Sequence, residues 1–421
     1  MKTSLFEKLF SLTAVVLLVA AALPAHAQER DDIFTVSGTV RDNSTRRPVA
    51  GVSLMVPDSR VGTVTNADGT FSLKVRRDLG ARAIEFSHLG YVTRRVPVGD
   101  SDLSGVTVLL APGTIELEGV TVYNREARRL VEEAIDRIDD NYLSTPALLT
   151  GFYRETVRKR NIYIDIAEAV TEIYRSPYAG GGPASGVRIV KGRRLVSPRP
   201  NDTLAVKLQG GPVIYTVGDI VANREIVIDP ESLDDYIFAL GPPAMIDDRA
   251  HFTVDFEPGR IYSEWVLHRG RLHIDMETLT VSRAEYSLDM SNRDKVTGMI
   301  LRRKPASLRF IPQEVSYVLS YREREGRSYL YYVGVDIRFR CDWRRRLLAT
   351  SYTVSSEMVI TDGRTDGVAP IPFRETFRSG DILSERVSDF SGPEFWESYN
   401  IIEPTESLEN AARRLLRRME N

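Results

Sequence analysis

"YSEWVLHRGRLHIDMETLTVSRAEYSL", residues 262–288, decides the fold of most of this chain. Apolar and polar side chains alternate with period two through it, the signature of strands with one buried face. Arg269-Gly270 has the residue chemistry of a two-residue turn. With that turn, 268 faces 271, 267 faces 272 and 265 faces 274. One face then carries Trp265, Leu267, Leu272 and Ile274. The other carries Glu264, His268, Arg271, His273 and Asp275. The apolar face is the candidate ligand-facing or core surface. On the polar face, two imidazoles and two carboxylates have the donor types for a divalent metal. Their diagonal separations are generous, and a one-residue slip dissolves the cluster. A solvated outer face is the simpler reading, so no metal and no cofactor is expected.

Working outward, more long alternating segments follow: "SLRFIPQEVSYVLSYRE", "SYLYYVGVDIRFRCDW" and "ATSYTVSSEMVITD". They predict a large antiparallel meander. Upstream, "LLTGFYRETVRKRNIYIDIAEAVTEIYR" reads as two strands around Lys159-Arg160-Asn161. Glu168 and Glu172 on these strands read as half-exposed carboxylates. "SPYAGGGPASGVRIVKGRRLVSPRPND" reads as a long loop, being rich in Gly, Pro and basic residues. Residues 117–138, "LEGVTVYNREARRLVEEAIDRI", introduce an amphipathic helix with Asn124 as its N-cap and Ala127, Leu130, Val131, Ala134 and Ile138 on one face. Residues 405–420 predict a second. Its stripe is Leu408, Ala411, Ala412, Leu415, Leu416 and Met419, and Arg413, Arg414, Arg417 and Arg418 lie opposite. Docking on the protein's own sheet is expected over lying on a membrane.

Before residue 113 the strands are shorter and closer together. "FTVSGTVRDNSTRRPVAGVSLMV", "TNADGTFSLKV", "AIEFSHLGYVTRRVPV" and "GVTVLLAP" predict a small antiparallel β-sandwich, with Asp68-Gly69 in a hairpin turn. His88 reads as a surface or loop histidine. Val36-x-Gly38-x-Val40, Pro48, Gly51-Val52, Gly62-x-x-Thr65, Gly69-x-Phe71-x-Leu73 and Phe86-Ser87-x-x-Gly90-Tyr91 resemble the carboxypeptidase-regulatory-like domain, a transthyretin-like sandwich. The resemblance implies an accessory module found in front of zinc carboxypeptidases, outer-membrane transport receptors and envelope proteins. It fixes a fold and a compartment, not an activity. Leu272-His273-Ile274-Asp275, Thr278-Leu279, Val281 and Arg283-Ala284-Glu285-Tyr286 are similar to segments of lipoprotein-carrier-type half-barrels. That weaker resemblance implies a curved sheet with an apolar concave binding face.

The chain has 421 residues, a formal net charge of −2 and one cysteine. Neither sign of charge selects nucleic acid, and an internal disulfide is excluded. Cys341 sits in a strand pattern and reads as a packed thiol. Lys2, Lys8 and the apolar residues 9–24 precede Ala25-His26-Ala27. This is a secretory leader with cleavage between Ala27 and Gln28, and no transmembrane span is expected after it. Catalytic motifs fail one by one. The sole His-x-x-Glu, His26 to Glu29, is cut apart at the cleavage site, so a zinc carboxypeptidase is excluded. There is no G-x-S-x-G elbow and no phosphate-binding loop. "DGRTDG" at 362–367 fails as a calcium loop.

The expectation is therefore a mainly β protein. Residues 1–27 are the leader, 32–112 the sandwich, 113–143 a linker with a helix, and 144–421 a larger antiparallel curved sheet with a few packed helices. Its expected role is that of a non-catalytic protein of the periplasm or outer-membrane periphery. It binds a lipid or acyl ligand, or an envelope protein partner, on the curved sheet. The alternatives are an accessory subunit of an outer-membrane complex and a hydrolase with an unrecognised site.

Overall fold

The computed structural model describes residues 32–113, 127–180, 183–199, 202, 204–260, 262, 265–344, 348–389 and 393–420. The leader with its cleavage position at Ala27 and Gln28, the cap Asn124 and Glu264 lie outside these residues.

The front module has seven strands: β1 (Ile33–Asp42), β2 (Ser53–Met55), β3 (Gly62–Val64), β4 (Thr70–Arg76), β5 (Ala83–Ser87), β6 (Arg94–Pro97) and β7 (Leu103–Leu110). They form two sheets, β4-β1-β7 and β3-β2-β5-β6. Phe34, Val36, Val40, Leu54, Phe71, Leu73, Ile84, Phe86 and Leu110 fill the space between them. One pairing corrects the expectation of a wholly antiparallel sandwich: β7 runs parallel to β1. The reason is topological. The chain crosses from β6 back to the first sheet and enters it on the far side of β1.

The rear domain is one eleven-stranded sheet. Its long strands are β8 (Ala147–Lys159), β9 (Ile162–Arg175), β10 (Gly186–Val196), β11 (Tyr236–Ile246), β12 (Arg249–Pro258), β13 (His268–Asp275), β14 (Val281–Leu288), β15 (Leu308–Arg324), β16 (Arg327–Trp343) and β17 (Thr350–Arg364). The spatial order is β11 through β17 followed by β8, β9 and β10, with Ser388–Asp389 added in parallel at the far edge. β17 closes on β8, which joins the late meander to the early hairpin.

β10 corrects the reading of 176–202 as a loop. Val187 and Leu195 are buried, and a bulge between Ile189 and Lys191 lets a strand rich in glycine and arginine stay paired with β9. The bulge hides the strict alternation that would have marked the strand.

Helix α1 (Ala127–Asp136) buries Leu130, Val131, Ala134 and Ile135, and its i,i+4 pairs Arg128–Glu132 and Arg129–Glu133 line the other side. Helix α2 (Arg293–Ile300) is capped by Asn292, whose side chain accepts from the Lys295 amide at 3.2 Å. Helix α3 (Glu406–Glu420) packs Leu408 and Leu415 on Ile166 and Leu195. It docks on the sheet.

The inner face of the sheet is filled by the chain itself. From residues 204–235, Val206, Tyr215, Ile220, Val221, Val227, Ile228 and Leu233 share one core with Leu272, Ile274, Ala284, Tyr286, Leu319 and Val333. A buried ion pair fastens this segment. Asp219 is fully buried and accepts from the Tyr178 hydroxyl at 2.8 Å and the Tyr321 hydroxyl at 2.7 Å, with Arg175 at 3.2 Å. The Tyr286 hydroxyl donates to the Gly218 carbonyl at 3.0 Å, and that of Tyr215 to Leu330 at 2.5 Å.

Candidate functional site

The hairpin read around Arg269-Gly270 is corrected by the strand it lies in. Gly270 pairs with Phe256 on one side and Tyr286 on the other. A Cβ there would sit 2.1 Å from the Glu285 carbonyl oxygen, so the glycine serves close backbone approach and not a turn. The turn falls at 276–280 instead. Asp275 accepts there from the amides of Glu277 at 2.9 Å and Thr278 at 2.8 Å, and Leu279 takes a positive φ.

The faces change accordingly. Leu272 and Ile274 are fully buried on the inner face, and His268 lies beside them. Leu267 is half-buried at the margin of the core. Trp265 stands before the strand, 51% exposed, with its ring 4.7 Å from that of Tyr262. It is therefore neither core nor part of the apolar face. His273 and Asp275 point to the outer face, where both are buried, while Arg271 on the same face is exposed, so the expected solvated face holds only in part. The cluster Glu264, His268, His273 and Asp275 is not assembled: its two histidines project to opposite faces. Among the described residues, no group of three or more His, Cys, Asp or Glu side chains is placed to hold a metal ion.

What buries the outer face is the front module. At one end it is gripped by the β11–β12 turn, where Asp247 and Asp248 both take positive φ. Asp247 receives the Ser87 hydroxyl and the Arg322 guanidinium, and Asp248 accepts from the Thr93 amide at 2.8 Å. At the other end it is sewn to residues 400–405. Asn66 donates to the Pro404 carbonyl at 2.9 Å and Thr63 to Ile401 at 2.8 Å, while Lys74 and Asn400 exchange backbone-to-side-chain bonds of 2.7 and 2.9 Å. The Tyr331 hydroxyl donates to the Thr63 carbonyl at 2.6 Å between them.

Between the two anchor lines lies a cavity of about 510 Å³. Its roof is Gly51, Ser53, Thr65, Asn66, Ser87 and His88. Its floor is Ser316 and Ser320 on β15, Tyr332, Gly334 and Asp336 on β16, Ser355 and Glu357 on β17, and Arg154 and Thr156 on β8. Apolar side chains, Val64, Leu89, Ile246 and Val318 among them, complete a mixed lining.

The charges around it follow one cross-strand row. Asp255, Arg271, Glu285, Val318, Gly334, Glu357, Arg154, Glu168 and Arg193 are successive partners from β12 to β10. Ion pairs link this row on both sides, Arg271–Asp255 at 2.6 Å, Arg154–Glu168 at 2.7 Å and Arg193–Glu168 at 2.8 Å. The row loses its charged side chains at Val318 and Gly334, and the hollow opens there. Glu168, read as half-exposed, is in fact buried. Burial pushes its carboxyl up, but Arg154 and Arg193 outweigh that and hold it below its ordinary value. Glu357, on the floor, is raised by burial against a smaller pull from Arg154.

Three histidines converge beside this hollow. His88 is half-buried in the roof, and burial with the nearby Arg283 pulls it down. His273 is lowered to about 4 by burial. His251 is lowered mainly by burial, and its Nδ1 stands 2.9 Å from the Arg249 carbonyl, which can only accept. Its Nε2 therefore accepts the Ser282 hydroxyl at 2.8 Å. A bulge opposite His273 brings Ser282 into the cavity lining. This serine–histidine contact escaped sequence reading because its two residues are thirty-one apart with no motif between them. It does not reproduce a hydrolase triad. Asp275 lies 3.7 Å from the same Nε2 and not on Nδ1, and it is engaged by Arg249 at 2.8 Å and by the turn amides. Cys341 is buried, its thiol pushed up to about 12 by burial, as for an inert packed thiol.

Comparison with known proteins adds relatives for the parts. A TonB-dependent receptor P3 of Formosa agariphila is 31% identical over 122 residues, 29% of this chain and 11% of the receptor's length. The chain thus spans a small part of that relative. Among solved structures, a DUF1329 family protein from Desulfovibrio piger aligns with 58% of this chain and 96% of its own at 11% identity and a TM-score of 0.25. A LolA superfamily protein from Nitrosomonas europaea aligns with 59% of this chain and 97% of its own at 10% identity and a TM-score of 0.23. The front module, residues 36–122, matches the family model of the CarboxypepD_reg-like domain.

Proposed function

We propose that this is a non-catalytic binding protein of the cell envelope, exported by its leader to the periplasm or outer-membrane periphery. It holds a segment of a protein partner in the hollow between the sandwich and the outer face of the sheet. The observation that carries this reading is the hollow itself: a cavity of about 510 Å³, walled by hydroxyl, charged and apolar side chains together, inside an otherwise closely bonded interface. A lining that mixes donors and acceptors with apolar side chains suits a peptide segment, which presents both kinds of surface, better than an acyl chain. An acyl cargo on the inner face is disfavoured, because residues 204–235 already occupy that face.

Filling the hollow tests the proposal. Ser316 and Ser355 both line it and are partly exposed. Chemical cross-linking in intact envelopes, purification and mass spectrometry for proteins and lipids would compare the wild type with Ser316→Trp and Ser355→Trp. The expected result is a partner protein captured by the wild type and lost from both variants at unchanged melting temperature. Equal capture by all three chains, or an acyl lipid as the sole cargo, overturns the proposal.

A further inference from the structure

We propose that Arg60, Arg324 and Tyr329 form a binding site for a small inorganic anion of the halide class, where the front module meets the sheet. Arg60 is held by the turn between β2 and β3. The Val56 amide donates to the Val61 carbonyl at 3.0 Å, and the Ser59 hydroxyl donates to the Val56 carbonyl at 2.8 Å. From this turn the side chain crosses to the sheet. Its stem passes over Gly363 on β17, where a Cβ would stand 3.1 Å from Arg60 Cδ. Its guanidinium lies 5.5 Å from the centre of the Tyr329 ring on β16. Arg322 on β15 is the cross-strand partner of Tyr329, and Arg324 follows two residues later on the same strand face.

Charge and hydrogen bonding are both unbalanced at this point. Arg60 is 7% exposed, and Tyr329 is fully buried. Among the described residues, Arg60 Nε, Arg324 Nε and the Tyr329 hydroxyl meet no hydrogen-bond partner. Three carboxylates stand nearby, and each is engaged by another arginine. Asp247 receives Arg322, Glu325 lies 3.1 Å from Arg324, and Asp362 lies 3.0 Å from Arg76. Arg60 forms no ion pair among the described residues. The face of Tyr329 attracts its guanidinium but offers no lone pair to the N–H groups. Burial pushes the Tyr329 hydroxyl up to about 12, against the pull of Arg60, Arg322 and Arg324, so it keeps its proton and can donate. The unmet groups are therefore donors, gathered around one uncompensated buried cation, and buried charges are normally paired. An anion supplies the acceptor and the counter-charge together. A water molecule would supply only the acceptor. The ligand is small, because the lining of the 510 Å³ hollow includes Arg322 but neither Arg60 nor Tyr329. Arg60 belongs to the sandwich and Tyr329 to the sheet, so a bound anion would tie the two layers together.

The test uses the mature chain at fixed ionic strength, with chloride replacing gluconate in steps. The wild-type melting temperature should rise with chloride and level off as the site fills. Arg60→Gln removes the buried charge and should show no saturating rise. Its deficit against the wild type should therefore be larger in chloride than in gluconate. Tyr329→Phe keeps the ring and removes one donor, so it should need more chloride for the same rise. Wild-type crystals grown in bromide should show anomalous scattering from an ion within hydrogen-bond reach of the Arg60 guanidinium, a readout that stands even where a variant fails to fold. A wild-type melting temperature indifferent to the exchange, an equal rise in Arg60→Gln, or bromide missing beside Arg60 overturns the proposal. The first of these together with an ordered water between Arg60 and Tyr329 would make water the occupant.

Discussion

Asp219→Ala should loosen the segment that fills the inner face of the sheet. The wild-type carboxylate is fully buried, faces Arg175 at 3.2 Å, and accepts from two tyrosine hydroxyls and the Val221 amide at 3.1 Å. Arg175 is itself 3% exposed. Removing one partner of a buried pair leaves the other charge uncompensated, at about 3–5 kcal/mol. The two orphaned hydroxyls share in that loss, because each is costly when left unmade in a dry site. All three tryptophans, Trp265, Trp343 and Trp396, lie in the rear domain. Their fluorescence in urea therefore reports that domain alone. With a slope near 3 kcal/mol/M for a domain of this size, the midpoint should fall by roughly 1–1.7 M. Limited proteolysis should find new cleavage between residues 204 and 235. The double variant Asp219→Leu, Arg175→Met removes both charges and should recover about half of the loss or more. A midpoint shift below about 0.3 M with no new cleavage would refute the argument, since 1 kcal/mol is the least such a pair can cost when broken.

Other outcomes follow from the same structure. His273 is held at about 4, below its unfolded value, so the unfolded chain binds its proton first as pH falls. Its contribution is present above pH 6.5 and is lost between 6.5 and 4. Stability measured across that window should fall by about 1.4 kcal/mol per pH unit more in the wild type than in His273→Gln, and equal slopes would contradict it. Leu415→Asp places an unpaired charge under α3, where Leu415 is 2% exposed, and should cost a few kcal/mol in urea unfolding, roughly 2–4. An unchanged midpoint would mean that the docked helix contributes nothing. The sandwich has its own core, so residues 32–112 expressed alone should give dispersed amide proton signals by NMR. A collapsed spectrum would show that it folds only on the sheet.

The parts legible in the sequence were those written by period and turn chemistry. The long strands β15, β16 and β17 alternate over most of their length, and the stripe Leu408, Ala411 and Leu415 repeats at helical spacing. Such local patterns survive without knowledge of partners. The misread parts are those where a partner decides. Gly270 looks like a turn residue because glycine marks both turns and close strand approach, and only the Glu285 carbonyl distinguishes them. β10 looks like a loop because its bulge breaks the alternation. Glu168 looks half-exposed because Arg154 lies fourteen residues away and Arg193 twenty-five, and it is their convergence that permits burial.

The candidate site was the least legible feature, for the same reason at larger scale. Its roof comes from residues 51–88 and its floor from residues 154–357, so no window of sequence contains it. Many of the side chains that form it are serines, threonines and glycines. Single sequences say little through such residues, since any exposed strand carries them. Their meaning here depends on a second layer. On an open sheet, the row Ser316, Asp336 and Ser355 with Gly334 beside it would be an ordinary polar face. Beneath the docked sandwich, the same small side chains leave a hollow that larger ones would have closed. The hollow therefore depends on the docking bonds of Asp247, Asp248, Asn66 and Asn400 as much as on its own lining. Weakening those anchors should widen or erase the site before it unfolds either layer, which places the site's control in the interface and not in either core.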